Sequence, residues 1–238
     1  MNRTDSELAR DGRYDLRSRD FSLKLLNIVA ASGDIAYFDH LVSRGADPRK
    51  SLALHSASKC EDSQQATAMI NHLLNMHHMQ IEANNEDLRD FFHAAGDSGT
   101  PLNSAVYHQN LPAVLTLLAR GANPDKAVYQ TIDYTLKDLL PALGPLLDAG
   151  ADANKAFEHA VDRLNFEAAK ISLEKGADPT RALRMQRAKA AKKATHSFDR
   201  DRDEEHGDGG DSTDDDEDLA AQRKKMRKLV SSANDKLK

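Results

Sequence analysis

Five side chains in the first third of the chain could serve a metal: His55, Cys60, His72, His77 and His78. Imidazole and thiolate are zinc ligands, and a structural zinc site needs four of them closely spaced. Here the spacing fits no common ligand pattern. The sequence therefore assigns no metal ligand; it reads His55 as a capping histidine in Leu54-His55-Ser56-Ala57 and the rest as polar loop residues. A second candidate is Asp199-x-Asp201-x-Asp203, which has the spacing that opens a calcium loop. Glu204 stands where that loop needs glycine, and Gly210 where it needs glutamate. The stretch is better read as a solvated acidic tract capable only of weak, non-specific divalent binding. Catalysis finds no foothold. There is no glycine-rich phosphate loop after a strand and no nucleophile motif, and Cys60 has no evident base partner. A non-catalytic chain without cofactor or metal is expected.

Two basic clusters remain. One holds Arg184, Arg187, Lys189, Lys192 and Lys193, the other Arg223, Lys224, Lys225, Arg227 and Lys228. Such clusters serve as nuclear-import signals or nucleic-acid contacts. They equally suit a solvated cap helix and a solubilising tail, and both readings stay open. Between them, residues 199–218 carry twelve acidic side chains against Arg200 and Arg202. A stretch so poor in apolar surface cannot offset its ordering entropy, which predicts a disordered tail. Attraction between the acidic block and the basic clusters would weaken with salt.

Composition narrows the class. The chain has 238 residues, a formal charge of -5, one cysteine and no tryptophan. A single cysteine excludes an internal disulfide and fits a reducing compartment. The first twenty residues lack a signal-peptide core, and no apolar run nears the roughly 18 residues of a membrane span. A soluble intracellular protein, cytoplasmic and/or nuclear, is expected.

The elements that would position these residues repeat along the chain. Arg44-Gly45-Ala46-Asp47-Pro48 returns as Arg120-Gly121-Ala122-Asn123-Pro124, Ala149-Gly150-Ala151-Asp152-Ala153 and Lys175-Gly176-Ala177-Asp178-Pro179. Each follows an apolar helical run, such as Phe38-Leu41-Val42 or Val114-Leu117-Leu118. Glycine just past a helix end takes the left-handed conformation without a Cβ penalty, so each copy reads as helix, turn, helix, stop. The second copy ends instead on His77-His78-Met79-Gln80. Gly45 and Gly121 lie 76 residues apart, room for two units, whereas the intervals from Gly121 to Gly150 and on to Gly176 are 29 and 26. The shortening falls in the connection after each stop. In the third copy, Thr100 is placed to cap a helix whose first turn holds Pro101. In the fifth, Ala156, Phe157, Ala160 and Val161 form one stripe, and Phe166, Ala169 and Ile171 the next. Residues 180–194 read as a polar last helix that closes the array.

Thr100-Pro101-Leu102-x-x-Ala105, the Leu117-Leu118 pair and Gly121-Ala122-Asn123, together with Leu54-His55-Ser56-Ala57, resemble the ankyrin repeat. Only one copy keeps Thr-Pro-Leu, and there Asn103 takes the place of the usual histidine. The short units resemble those of filamentous-fungal ankyrin proteins. The resemblance implies an all-α, ankyrin-type helical-repeat solenoid with short or absent hairpins: a flexible lead-in over 1–19, about five repeats over 20–194, and a disordered acidic-then-basic tail over 195–238. It also implies non-catalytic binding of a protein partner on a concave face made by the first helix of each pair. Candidate contacts there include Ser56, Lys59, Ser104, Tyr107, His108, Asp133, Lys137, His159, Asp162 and Arg163, with Ala31, Ser32, Cys60 and Leu136 beside them. Tyr107 is the favoured anchor, since tyrosine gives contact area at low entropic cost. The partner would be a protein, with no membrane, with nucleic acid only through the basic tail, and with the chain monomeric. The alternative is a nuclear regulatory or histone-chaperone-like factor acting through the charged tail.

Overall fold

The computed structural model describes residues 19–84, 99–133, 138–184 and 213–236. Among these, every regular element is helical. No helix among them is long and apolar enough to cross a membrane. The chain divides into two compact units, Met1–Ala151 and Asp152–Lys238. That division falls inside the span read from the sequence as one repeat domain.

The first unit contains α1 (Arg19–Ser32), α2 (Ile35–Ser43), α3 (Ala53–Ala57), α4 (Ser63–Asn75), α5 (Pro101–Tyr107), α6 (Leu111–Ala119), α7 (Asp125–Asp133) and α8 (Leu143–Asp148). They come in pairs, each helix touching the next: α1 with α2, α3 with α4, α5 with α6, α7 with α8. First helices also touch across pairs, α1 on α3, α3 on α5 and α5 on α7, while α4 packs on α6. The reason lies in the burial pattern. Leu26 and Ala30 of α1, Leu54 and Ala57 of α3, Leu102 and Ala105 of α5, and Ala127 and Ile132 of α7 are all nearly solvent-free. So are Met69, Ile70 and Leu73 of α4 and Val114 and Leu117 of α6. A five-residue helix such as α3 is far too short to be stable alone. Burial at about 25 cal/mol per Å² against its neighbours holds it.

Helix ends follow the sequence closely. Gly45, Gly121 and Gly150 have φ of 98°, 88° and 102°. At each, the glycine N–H donates to a carbonyl three residues back (Val42, Leu118, Leu147) and the next alanine N–H to one five residues back (Leu41, Leu117, Leu146). This two-bond closure is the Schellman motif, and it satisfies carbonyls the helix would otherwise leave orphaned. Starts are capped by side chains. Asp34 accepts from Tyr37 N, Asp62 from Gln64 and Gln65 N, and Asn110 from Ala113 N. Thr100 and Asn103 form a reciprocal capping box with Pro101 at the first position of α5.

The connections after the stops carry no strand. A 3₁₀ turn, Pro48–Lys50, follows Gly45. α7 begins at Asp125 directly after Gly121-Ala122-Asn123-Pro124.

The second unit contains α9 (Ala153–Asp162), α10 (Phe166–Glu174), a helical stretch over 179–184 and α11 (Thr213–Asp235). Asp152 caps α9, which buries Ala156, Phe157, Ala160 and Val161. Gly176, with φ of 90°, closes α10 as the other glycines close theirs. The face of α10 differs from expectation. Ala168, Ala169 and Ser172 are buried, while Phe166 and Ile171 are half-buried. Small side chains win the core here, and the Ser172 hydroxyl is satisfied by the Ala168 carbonyl at 2.8 Å. Asp178 N donates to Asn154 Oδ1, and Arg181 pairs with Glu158 at 2.6 Å, tying the 179–184 stretch to α9.

Residues 213–235 are helical, where the sequence predicts a disordered tail with at most a marginal helix over 219–238. Met226 and Val230 on α11 are buried, with Leu219, Leu229 and Ala233 half-covered. That spacing of three, four and seven is an amphipathic stripe, and it gives this segment an apolar face to bury. Residues 1–18 of the 1–19 lead-in, 185–194 of the last helix read over 180–194, and 199–212 of the acidic tract over 199–218 lie outside the described residues.

Candidate protein-interaction surface

The predicted contact residues gather where first helices end. Lys59 lies in the turn after α3 and is half-buried. Tyr107 is the last residue of α5 and His108 its cap, with ring centroids 5.3 Å apart, edge to face. Tyr107 is half-buried and His108 exposed; Asp133, the last residue of α7, is also exposed. Ser56 is half-buried, as is Ala31 of α1; Ser32 at the end of α1 is exposed. In the second unit His159 is half-buried on α9, and Asp162 and Arg163 are exposed at its end. Lys137 and Leu136 lie outside the described residues.

Ser104 and Cys60 do not belong to this surface. Ser104 is 1% exposed and Cys60 4%. Both sit among the covered residues between neighbouring pairs, where no partner reaches. Burial pushes the Cys60 thiol up, and its Sγ lies 3.6 Å from the Asp62 carbonyl. A buried, protonated thiol is a poor nucleophile.

Side chains just beneath this surface fasten one pair to the next. His55 Nε2 lies 3.1 Å from the Gly99 carbonyl. Asn103, standing where the resemblance expects histidine, donates to Gln130 Oε1 at 3.2 Å and so links α5 to α7. Asn110 donates to the Ser58 and Cys60 carbonyls at 3.2 and 2.9 Å while capping α6. On the second helices, Thr67 meets Thr116, and Arg120 donates to Asn71 and Asn75.

A second polar centre joins α2 to the end of α4. Asp39 Oδ1 lies 2.8 Å from His72 Nε2 and 3.0 Å from His77 Nε2. The two imidazoles meet edge to face at 5.1 Å, and His77 also lies 5.3 Å from the buried Phe38 ring. Burial alone would raise the Asp39 carboxyl. The hydrogen bonds and charges of His72 and His77 outweigh it and hold the group below its usual range. Sequence spacing sets His72 and His77 aside because the third donor lies 33 residues before His72, on a different helix pair. His55, Cys60 and His78 are not part of this group.

Of the basic clusters, Arg184 is exposed at the end of the 179–184 stretch; Arg187, Lys189, Lys192 and Lys193 lie outside the described residues. Arg223, Lys224, Lys225, Arg227 and Lys228 are all exposed on α11. Lys225 Nζ stands 4.9 Å from the centre of the Phe166 ring, a cation–π contact.

A gap among α5, α6 and the 3₁₀ turn Leu140–Ala142 is lined by Ala105, Val106, Leu111, Val114, Leu139, Pro141 and Ala142, with Gln109 and Asp138 its polar lining. An amide and one carboxylate supply no nucleophile with a base beside it. No family model matches this chain, and no curated protein matches it.

Proposed function

We propose that the chain is a non-catalytic protein-binding module built as an ankyrin-type helical solenoid. The observation that carries the reading is the row α1–α3–α5–α7 in the first unit, each first helix packed on the next. Stacked helix pairs of this kind build a continuous binding surface without needing a catalytic pocket. The Schellman closures at Gly45, Gly121 and Gly150 and the capping box at Thr100 support the ankyrin assignment. Lys59, Tyr107, His108 and Asp133 hold equivalent places at the ends of α3, α5 and α7, so a partner running along that edge meets all of them. Tyr107 is the anchor, because half-buried aromatics carry much of the energy in protein interfaces. The partner is a protein met in the cytoplasm or nucleus.

The test is site-specific photo-crosslinking in cells. A crosslinker at Tyr107 is expected to capture a discrete partner, and one at Leu115, exposed on α6, to capture none. Tyr107→Ala should abolish capture from a crosslinker placed at His108. Equal capture at Leu115, or capture indifferent to Tyr107→Ala, would overturn the reading.

A second reading is favoured by the five exposed basic side chains on α11. Under it, a nuclear regulatory or histone-chaperone-like role runs through the charged tail. Deleting 195–238 would remove Met226 and Val230 as well as the charge, so the cleaner comparison changes Arg223, Lys224, Arg227 and Lys228 to Gln. Loss of capture in that variant alone, with Tyr107→Ala silent, would favour the tail.

A further inference from the structure

We propose that Asp39, His72 and His77 form a divalent transition-metal site that staples α2 to the end of α4. Two imidazole nitrogens and a carboxylate oxygen converge, all within 4.8 Å of one another. Both rings turn the same atom, Nε2, on the same oxygen, at 2.8 and 3.0 Å. Metal–ligand bonds of about 2.1 Å at tetrahedral angles separate ligand atoms by about 3.4 Å. The Nε2 atoms of His72 and His77, at 2.8 and 3.0 Å from Asp39 Oδ1, therefore need to draw back from it by only about half an ångström to admit a metal. The imidazoles are held for it: their side chains are 16% and 13% exposed, and His77 is braced by Phe38 and by His72. Arg49 Nε reaches the His77 carbonyl at 3.4 Å and steadies the loop from the Pro48–Lys50 turn. The Asp39 side chain is 48% exposed, which gives an ion an entry path.

The donor set selects the ion. Two imidazoles with one carboxylate suit Zn²⁺ and its neighbours, whereas Ca²⁺ and Mg²⁺ want oxygen alone. Zn²⁺ would take the three protein ligands and one water, each ring moving its proton to Nδ1 so that the Nε2 lone pair is free. Two ligands come from the second helix pair and one from the first. Binding therefore ties the pairs together and stabilises the folded state by mass action.

The experiment uses the untagged full-length chain, titrated with Zn²⁺ by calorimetry and followed by thermal melts. One strong site per chain is expected, with a rise in Tm of about 3–5 °C at Zn²⁺ tenfold above Kd. Co²⁺ in place of Zn²⁺ should give visible d–d absorption. Asp39→Asn and His72→Gln should each weaken binding by about tenfold or more and remove the Tm rise, while His78→Gln should leave both intact. Should His72→Gln unfold by circular dichroism, the near-isosteric Asp39→Asn decides the matter at an exposed position. Binding undiminished in Asp39→Asn would place the ion elsewhere and overturn the proposal. So would the absence of binding to the folded wild-type chain, or an equal response to Mg²⁺ or Ca²⁺.

Discussion

The second helices of the five pairs all end in a left-handed residue, but they do not end alike. α2, α6, α8 and α10 close on glycines with φ between 88° and 102°; α4 closes on His78, with φ of 50°. The glycine ends are complete in themselves. Two backbone hydrogen bonds shut each one, and a Cβ built at Gly45, Gly121, Gly150 or Gly176 would meet nothing within 4 Å. Glycine is needed there for its backbone conformation, not for space. The α4 end turns one residue later after its cap and has a longer closing bond, Met79 N to Leu73 O at 3.3 Å. Its loop is also held from outside, by Asp39 on His77 and by Arg49 on the His77 carbonyl. Where the local stop signal is missing, the preceding helix pair supplies the restraint.

The largest effect tests what both kinds of end have in common. Leu117 before a glycine stop and Leu73 before the histidine stop are each 0% exposed. Leu117→Ala and Leu73→Ala should each destabilise the chain by about 2–5 kcal/mol in chemical denaturation. A loss at Leu73 below about 1 kcal/mol would mark the α4 end as loosely packed.

Next comes the link between pairs. Asn110→Ala removes a cap and leaves the Ser58 and Cys60 carbonyls without their donor. A cost of about 1–3 kcal/mol is expected by the same measurement. No measurable change would mean that water replaces the amide.

The ends themselves are distinguished by exchanging their residues. Gly121→Ala should cost about 1 kcal/mol, because alanine resists φ near 88°. His78→Gly should change stability by less than about 0.5 kcal/mol, since relief of left-handed strain is offset by added freedom in the unfolded chain. If His78→Gly costs as much as Gly121→Ala, the histidine side chain matters more than its backbone.

The smallest effect concerns Asp47, two residues past the Gly45 stop. Hydrogen bonding to Lys50 and Arg49 outweighs its partial burial and holds its carboxyl below the usual range. The folded value is lower than the unfolded one, so the contribution is present above the usual carboxylate range and is lost as pH falls through the folded value. At this exposed position it amounts to a few tenths of a kcal/mol at most, roughly. Asp47→Asn should lower Tm slightly at neutral pH and not at all in strong acid.

Much of this was legible because it is local. A glycine after an apolar stripe, a threonine three residues before an asparagine, and a proline at a first turn each act within one helical turn. The all-helical character and the closures at Gly45, Gly121, Gly150 and Gly176 could therefore be read directly from the sequence. Ser104 misled because a serine on a short helix looks solvated until the next helix covers it. The α11 stripe of Leu219, Met226, Leu229, Val230 and Ala233 was present in the sequence but overshadowed by the charge around it.

The amino-acid sequence by itself determined the helix pairs and where those that close on glycine stop, since hydrogen bonding and φ preferences within a few residues decide both. Only the tertiary structure brought Asp39 to His72 and His77, chose Ala168, Ala169 and Ser172 over Phe166 and Ile171 as the buried face of α10, and covered Met226 and Val230. Those outcomes depend on which surfaces meet across dozens of residues, and spacing along the chain carries no record of that.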